Sequence, residues 1–373
     1  MAAPGTALHQ VSLDPISADA ATDDLLTAIL RANPRVSDLI FSPGRKFQVQ
    51  VSGEFIPLEA NSTSSLSADD TRRIASDLIG NNKAAISMLR EQGYCDISYA
   101  LPGVARFRVN VFIQRGSCAV VMRVIPTSIP DFKSLGIPET LREIGSLRDG
   151  LVLVTGPRGA GKSSTLAAIL NHINETETCH IITIEDPIEF LHNHKRATVH
   201  QRELHSDTPS VLQAMRAALR QAPNVIAVGE LKDRETMELA LEAAETGHLV
   251  LSTLNTLTAQ QTVERFVAAF PAAEQTGARE RLARMLRYVI SQRLVPRSEG
   301  SHRIAVFEIL KSGSKLLDRL LAGASSSSSQ SKSAGLDAEI EKLVRAGLVT
   351  PEIALAHAID PRELAKKLAA AEK

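Results

Sequence analysis

Over residues 1–125, the spacing of hydrophobic and polar positions predicts helical stretches and several short strands. Leu25, Leu26, Ile29 and Leu30 recur at the spacing of one helix face, which predicts a helix over residues 23–32. Residues 47–51 alternate apolar and polar, as a half-buried strand does. Further strands are predicted at 37–42, 97–101, 105–111 and 119–125, and a single helical stretch is predicted at 69–89 with Ser67 as its N-cap. These elements predict a small α+β domain with a mostly antiparallel sheet.

From residue 139 the pattern changes to strands that alternate with helices. Strands are predicted at 151–155, 180–185, 225–229 and 248–254, with helices at 162–173, 209–221 and 234–245 between them. Such alternation predicts a parallel sheet that is covered by helices on both faces. A long helical stretch is predicted from 259 to about 292, followed by a strand at 303–310.

Composition marks the boundaries between these regions. Pro126, Pro130 and Pro138 rule out a continuous helix or central strand and predict an extended linker. A run of five serines lies within 323–335, which has the composition of a flexible linker. Three short helices are predicted after it, at 336–345, 350–357 and 361–371. The predicted organisation is an N-terminal domain (1–125), a linker (126–138), an α/β domain (139–312) and a serine-rich linker with C-terminal helices (313–373).

The overall composition excludes several classes of function. The formal net charge is zero and aromatic residues make up 3% with no Trp, so no nucleic-acid partner is expected. Cys95, Cys118 and Cys179 are scattered without a C-x-x-C pair, so a zinc site is not expected. No signal peptide and no apolar run of membrane-spanning length are recognisable. These features predict a cytoplasmic protein that reaches a membrane only through a partner.

The strongest chemical signal is a glycine-rich loop after the strand predicted at 151–155. The sequence GPRGAGKSS fits the phosphate-binding pattern G-x-x-x-x-G-K-[ST]. Glycines let backbone N–H groups turn inward around a phosphate, and the helix that follows adds its positive dipole end. In this pattern Lys162 binds the β- and γ-phosphates and the Ser163 hydroxyl binds Mg²⁺. The predicted nucleotide-binding residues are Gly156, Pro157, Arg158, Gly159, Ala160, Gly161, Lys162, Ser163 and Ser164.

Two groups of acidic residues follow predicted buried strands. Glu230 ends the apolar run 225–229, where it could be an outer-sphere partner of Mg²⁺ or the base that orients the attacking water. Glu185, Asp186 and Glu189 lie together after the strand 180–185. Three carboxylates this close repel one another unless a cation or basic groups offset them, so the alternative is a solvated acidic loop.

Basic residues provide further candidates. His248 begins the strand 248–254, where it could sense a phosphate, although a lone His is more often structural. Arg106, Arg108 and Arg123 belong to the densest arginine cluster of the chain. They are either a solvated strand face or arginines that reach a nucleotide across a domain or subunit boundary.

Together these motifs resemble the secretion-ATPase superfamily over residues 25–310, nearest to its branch that retracts type IV pili. The loop 156–164 is similar to the family's Walker A loop, TIEDPIEF at 183–190 to its Asp box, NVIAVGELKDRET at 224–236 to its Walker B segment, and TGHLVLSTLNT at 246–256 to its His box. The resemblance implies a PAS-like N-terminal domain, a RecA-like ATPase domain and a C-terminal helical tail. It places Glu230 in the catalytic glutamate position and implies that ATP and Mg²⁺ bind.

The resemblance also implies partners and an output. Members of the family form hexameric rings in which arginines of the N-domain, here Arg106, Arg108 or Arg123, approach the nucleotide. Turnover moves the two domains and drives pilus disassembly, and so twitching motility, through an inner-membrane platform protein. A paralogous pilus ATPase is a further candidate partner.

Several positions depart from the family pattern. Asn255 stands where a second histidine is usual, and Arg158 and Ala160 stand where Thr and Ser are usual. The retraction-branch signature helix is not recognisable after Leu310, and neither is the four-cysteine zinc motif of extension motors. These departures leave an accessory or regulatory nucleotide-binding paralogue, or the motor of a related secretion system, as the alternative function. A small-molecule kinase is disfavoured because no acceptor pocket is evident.

Overall fold

A computed structural model describes residues 21–51, 54–57, 65–126, 128–299, 303–322 and 335–371. The chain divides into two compact units, Met1–Thr127 and Ser128–Lys373. None of the helices within the described ranges is long and apolar enough to cross a membrane.

The first unit is built on a six-stranded antiparallel sheet. Its elements are α1 (Thr22–Ala32), β1 (Val36–Phe41), β2 (Gln48–Val51), β3 (Glu54–Pro57), α2 (Ala68–Ile79), α3 (Lys83–Gln92), β4 (Tyr94–Leu101), β5 (Ala105–Gln114) and β6 (Ser117–Ile125). The strand order is β3-β2-β1-β6-β5-β4, and the apolar faces of α1 and α2 contribute to one core with the sheet. Arg108 and Arg123 are register partners on β5 and β6, and Arg106 lies two residues from Arg108, so the three arginines share one sheet face.

The single helix predicted at 69–89 is wrong, because the segment forms two helices. Gly80 has a φ of 53° and ends α2, and Asn82 begins α3 by accepting a hydrogen bond from the Ala85 N–H. The predicted N-cap is confirmed: Ser67 and Asp70 form a reciprocal capping box. Apolar residues of both helices keep a helical period, so the pattern alone did not reveal the break.

The second unit is built on a seven-stranded sheet with helices on both faces. The elements that form this sheet and its helices are β7 (Gly150–Thr155), α4 (Lys162–Thr176), β8 (His180–Glu185), β9 (Thr198–Glu203), α5 (Val211–Ala218), β10 (Val225–Val228), α6 (Arg234–Glu245), β11 (Leu249–Leu254), α7 (Ala259–Ala268), α8 (Gln275–Met285), β12 (Leu286–Pro296) and β13 (Arg303–Lys311). The strand order is β13-β12-β7-β11-β10-β8-β9, and every neighbouring pair is parallel except β12 with β13. All residues of β7, β10 and β11 are buried, as expected for central parallel strands.

The long helix predicted from 259 to about 292 is also wrong. Two helices, α7 and α8, occupy its first part, and β12 occupies the rest, in parallel register with β7. Val289 packs into the core on one side of the sheet, whereas Tyr288 and Ile290 pack into the core on the other side. A strand that is buried on both faces does not alternate apolar and polar residues. Its apolar run therefore fits a helix equally well, and only the pairing with a neighbouring strand distinguishes the two.

Segments around the predicted linkers pack against the second unit. Phe132 and Ile137 are buried there, followed by a 3-10 helix at Glu139–Ser146 that was not predicted. The predicted C-terminal helices are confirmed as α10 (Leu336–Arg345), α11 (Pro351–His357) and α12 (Pro361–Ala371), and α9 (Lys315–Leu321) precedes them. They share a core with Val295 and Val306 of the sheet. Most of the predicted serine-rich segment, 323–334, lies outside the described residues.

Replacement of Ile290 tests the position of β12. Ile290 is fully buried beside Val154 of β7, so Ile290→Ala leaves a cavity and should lower the free energy of unfolding by about 2–5 kcal/mol. Leu257→Ala is the control, since Leu257 is 38% exposed. Urea unfolding of the nucleotide-free protein measures both changes, and equal midpoints for the two variants would contradict the assignment.

Candidate nucleotide-binding site

A cavity of about 280 Å³ lies at the carboxyl ends of the central parallel strands. This edge is where ligands bind in open α/β sheets. Of the predicted site residues, the following line it: Arg158, Gly159, Lys162, Ser163, Glu185, Asp186, Glu189 and Glu230. Of the remaining predicted loop residues, Gly156, Pro157, Ala160 and Gly161 belong to the turn between β7 and α4, and Ser164 lies in the first turn of α4. The predicted residues of three segments that are far apart in the chain therefore supply one site.

Two of the loop glycines combine a positive φ with a close approach to Gln292. Gly156 has a φ of 154°, and a Cβ there would lie 2.4 Å from the carbonyl oxygen of Gln292. Gly161 has a φ of 86°, and a Cβ there would lie 2.9 Å from Gln292 Nε2. Gly161 is also the N-cap of α4 and has no side chain to satisfy the first helical N–H groups. Those N–H groups and the helix dipole form an anion-binding end.

Gln292 is a residue that the sequence analysis missed. It lies on β12, beside β7, and its Oε1 accepts a 2.7 Å hydrogen bond from the hydroxyl of Thr165 on α4. Both side chains are buried, so the bond fixes the first turn of the helix to the sheet. Because a helix was predicted over this segment, the sequence analysis did not place Gln292 beside the phosphate loop. No sequence motif identifies this residue.

Lys162 is held by three acceptors. Its Nζ donates to the backbone carbonyls of Gly156 at 3.0 Å and Pro157 at 2.9 Å, and to Asn255 Oδ1 at 2.9 Å. Burial lowers the pKa of the Lys162 ammonium, and the nearby charge of Glu230 opposes that shift. An ammonium in this position is poised to exchange some of these acceptors for phosphate oxygens.

Glu230 lies just beyond the end of β10, and a side chain of the neighbouring strand connects it to the loop. Asn255, which follows β11, donates from Nδ2 to Glu230 Oε1. Because Asn255 also accepts from Lys162, the two oppositely charged groups are joined through one amide. The predicted carboxylate and the predicted lysine therefore face the same cavity.

The three acids after β8 have different environments. Glu185 accepts hydrogen bonds from the Thr183 hydroxyl at 2.6 Å and from Gln201 Nε2 at 2.9 Å. Burial nevertheless raises the pKa of the Glu185 carboxyl, and the charge of Glu189 adds to that rise. Asp186 is 3.6 Å from the ammonium of Lys232. The repulsion expected among these acids is thus reduced by hydrogen bonds and by one lysine.

His248 does not line the cavity, and its role as a phosphate sensor stays a prediction. It directly precedes β11, whereas the cavity lies at the other end of that strand. Its Nδ1 lies 2.9 Å from the carbonyl oxygen of Ala243 and 3.2 Å from the Thr246 hydroxyl. A residue that starts a parallel strand lies at the amino edge of the sheet, away from ligands bound at the carboxyl edge.

The predicted arginines lie in the first unit. Arg106 and Arg108 are on β5, and Arg123 is on β6. Arg123 Nε donates to Asp38 Oδ1 at 2.7 Å, and the Asp38 side chain is 10% exposed. The role of these arginines toward a nucleotide stays a prediction.

The chain is similar to motors of type IV pili. Residues 95–336 match the family model described as type II/IV secretion system protein. A twitching motility protein of Neisseria gonorrhoeae is 42% identical over 296 residues, which are 78% of this chain and 79% of that protein. The type IV pilus retraction ATPase PilT of Pseudomonas aeruginosa is 49% identical over 215 residues, 58% of this chain and 62% of that protein. A crystal structure of the pilus retraction motor PilT with bound ADP matches with a TM-score of 0.84 at 39% identity, covering 93% of this chain and 100% of that one.

The raised pKa of Glu185 predicts a gain in stability for Glu185→Gln. The folded protein binds this proton more tightly than the unfolded chain, so wild type loses stability as the pH rises above the unfolded pKa of about 4.3. Gln keeps an oxygen that can accept from Thr183 and Gln201 but carries no charge. The urea midpoint of the variant should therefore exceed that of wild type at about pH 8, and the difference should shrink toward about pH 4.

Glu175→Gln is the matched control, because Lys195 lowers the pKa of Glu175 by a direct hydrogen bond. The expected change in stability has the opposite sign, so Glu175→Gln should be no more stable than wild type at about pH 8. A Glu185→Gln protein that is less stable than wild type at that pH would contradict the effect of burial on Glu185.

Proposed function

The chain belongs to the type II/IV secretion system protein family, and from this membership we propose that it is an ATP-hydrolysing motor that powers retraction of type IV pili. The fold class predicted from the sequence is confirmed as well. The observation that carries the proposal is the convergence of Lys162, Glu230 and a glycine loop on one cavity at the carboxyl edge of the sheet. These are the parts that bind and cleave a nucleoside triphosphate in phosphate-loop enzymes.

Each part has a role in this proposal. The loop amides and Lys162 bind the phosphates, since the N-terminus of α4 has no side-chain cap of its own. Glu230 orients or deprotonates the attacking water, because its carboxylate faces the cavity from just beyond the end of β10. Glu185, Asp186 and Glu189 add acidic side chains to the lining of the same cavity.

The residues present fit Mg²⁺ held together with a nucleotide. In the described part of the chain, no three His, Cys, Asp or Glu side chains form a metal site by themselves. Mg²⁺ usually binds through one or two protein groups, several waters and substrate phosphates, so a full protein cage is not required. Ser163 would hold the ion through its hydroxyl, with Glu230 near it, and the ion would neutralise charge on the phosphates.

The proposed mechanical work on the pilus rests more on the similar proteins than on the geometry of the site. We infer a homo-hexamer that works at the cytoplasmic side of the inner membrane through a pilus platform protein. Arg106, Arg108 and Arg123 share one sheet face and are the candidates to reach a nucleotide across a domain or subunit boundary. Guanidinium groups delivered in this way would connect hydrolysis to domain motion.

One observation favours a second candidate, an accessory or regulatory paralogue that hydrolyses little ATP. Asn255 occupies the position between Lys162 and Glu230 where a histidine is usual in the family. Asparagine cannot become cationic, so it cannot add positive charge toward a phosphate. Steady-state turnover distinguishes the two candidates.

Glu230→Gln should lower the kcat for ATP hydrolysis by about 10²–10⁴-fold while ATP binding is retained. The amide keeps the shape of the side chain but cannot accept a proton from water. Glu235→Gln is the control, because Glu235 is exposed in the first turn of α6. A wild-type protein that binds ATP but turns over no faster than Glu230→Gln would exclude the motor and favour the accessory role.

The mass in solution tests the ring. Light scattering with and without ATP should give six copies in at least one of the two conditions. A monomer in both conditions would contradict the hexameric mechanism.

A further inference from the structure

Asn255 lies between the two halves of the site because of strand order. It directly follows β11, which pairs with β7 on one side and β10 on the other. The Gly156 N–H donates to the Leu254 carbonyl at 3.3 Å, and the Leu231 N–H donates to the Thr253 carbonyl at 3.3 Å. The backbone next to position 255 is therefore bonded both to the start of the phosphate loop and to the residue after Glu230.

The side chain of Asn255 uses its two ends differently. Oδ1 accepts from Lys162 Nζ at 2.9 Å, and Nδ2 donates to Glu230 Oε1. An ammonium only donates and a carboxylate only accepts, so the amide has one orientation that satisfies both. Neither a carboxylate nor an aliphatic side chain of similar size makes both bonds.

Phosphate binding must change this arrangement. An ammonium has three N–H groups, and Lys162 has three acceptors, of which Gly156 and Pro157 offer backbone carbonyls. A phosphate oxygen that takes one N–H displaces one of the three. The Asn255 amide is the acceptor on a rotatable side chain, and it is also bonded to Glu230.

We propose that Asn255 is a positioning residue that couples Lys162 to Glu230, so that capture of a phosphate by the lysine changes the orientation of the carboxylate. This inference rests on the proposed hydrolysis of ATP at this site. Before ATP binds, the amide ties Glu230 to the lysine. Once Lys162 turns to the phosphate, Asn255 remains bonded to Glu230 alone and is free to rotate with it toward the water.

The proposal predicts a loss of turnover without a loss of binding. Asn255→Leu removes both hydrogen bonds at similar volume and should lower kcat by about 10²-fold, since a misplaced group costs about that much, while ATP still binds. Asn171→Leu is a closely matched control. Asn171 also accepts from a lysine, Lys195, and donates to a glutamate, Glu175, but it lies outside the cavity.

A histidine at this position adds a pH readout that a purely structural role would not give. Neutral imidazole has one donor and one acceptor, whereas imidazolium has two donors and would repel Lys162. The turnover rate of Asn255→His should rise as the pH increases through about 6.5, because the imidazole then loses its proton. Wild type should show no such rise. The titratable groups that line the cavity with Asn255, and that influence the pH at which this rise occurs, are Arg158, Lys162, Glu185, Asp186, Glu189, His192, Glu230 and Lys232.

A binding cycle tests the coupling without any turnover. ATP affinity is measured for wild type, Asn255→Leu, Glu230→Gln and the double variant. Coupling through the amide predicts that the two effects on affinity depart from additivity by at least about threefold.

Additive effects, or a kcat of Asn255→Leu within about twofold of wild type, would overturn the positioning role. Failure of the proposed function has a different signature: wild type then turns over no faster than Glu230→Gln, whatever the binding cycle gives.

Discussion

The parallel register of β7, β11 and β10 is the constraint on which the site depends. Parallel strands present their carboxyl ends at one edge, so the segments that follow them meet there. The phosphate loop follows β7, Asn255 follows β11 and Glu230 lies just beyond β10. Because β11 lies between the other two strands, the residue that directly follows it, Asn255, contacts both the lysine and the carboxylate. Continuous apolar burial of the three strands holds this register.

Charge at this edge is stabilised by hydrogen bonds more than by ion pairs. Lys162 is bonded to two carbonyls and an amide, and Glu185 to a hydroxyl and an amide. Burial opposes the charged form of both, lowering the pKa of Lys162 and raising that of Glu185. The hydrogen bonds therefore offset only part of the cost of burying each charge. Binding of an ion of the opposite charge would stabilise the charged form of both groups further. A nucleotide with a divalent cation supplies both charges, which is consistent with the proposed function.

The two wrong helix predictions have one physical origin. Helical periodicity continued across Gly80 and across the start of β12, because a helix break or a strand buried on both faces leaves the apolar pattern intact. Placing β12 in a helix also hid Gln292, whose contacts with Gly156, Gly161 and Thr165 support the phosphate loop. His248 and Asn255 belong to the same sequence motif but lie at opposite ends of β11, so only Asn255 reaches the cavity.

The sequence by itself determined the two fold types, the phosphate loop and the acidic segments, since spacing and residue chemistry are local properties. It also determined the family, through motifs that together span most of the chain. Only the tertiary structure decided which of these residues meet. Asn255 joins Lys162 to Glu230, Gln292 supports the loop and His248 lies away from the cavity because of strand order and direction. Those depend on pairing between segments distant in the chain, which no local pattern encodes.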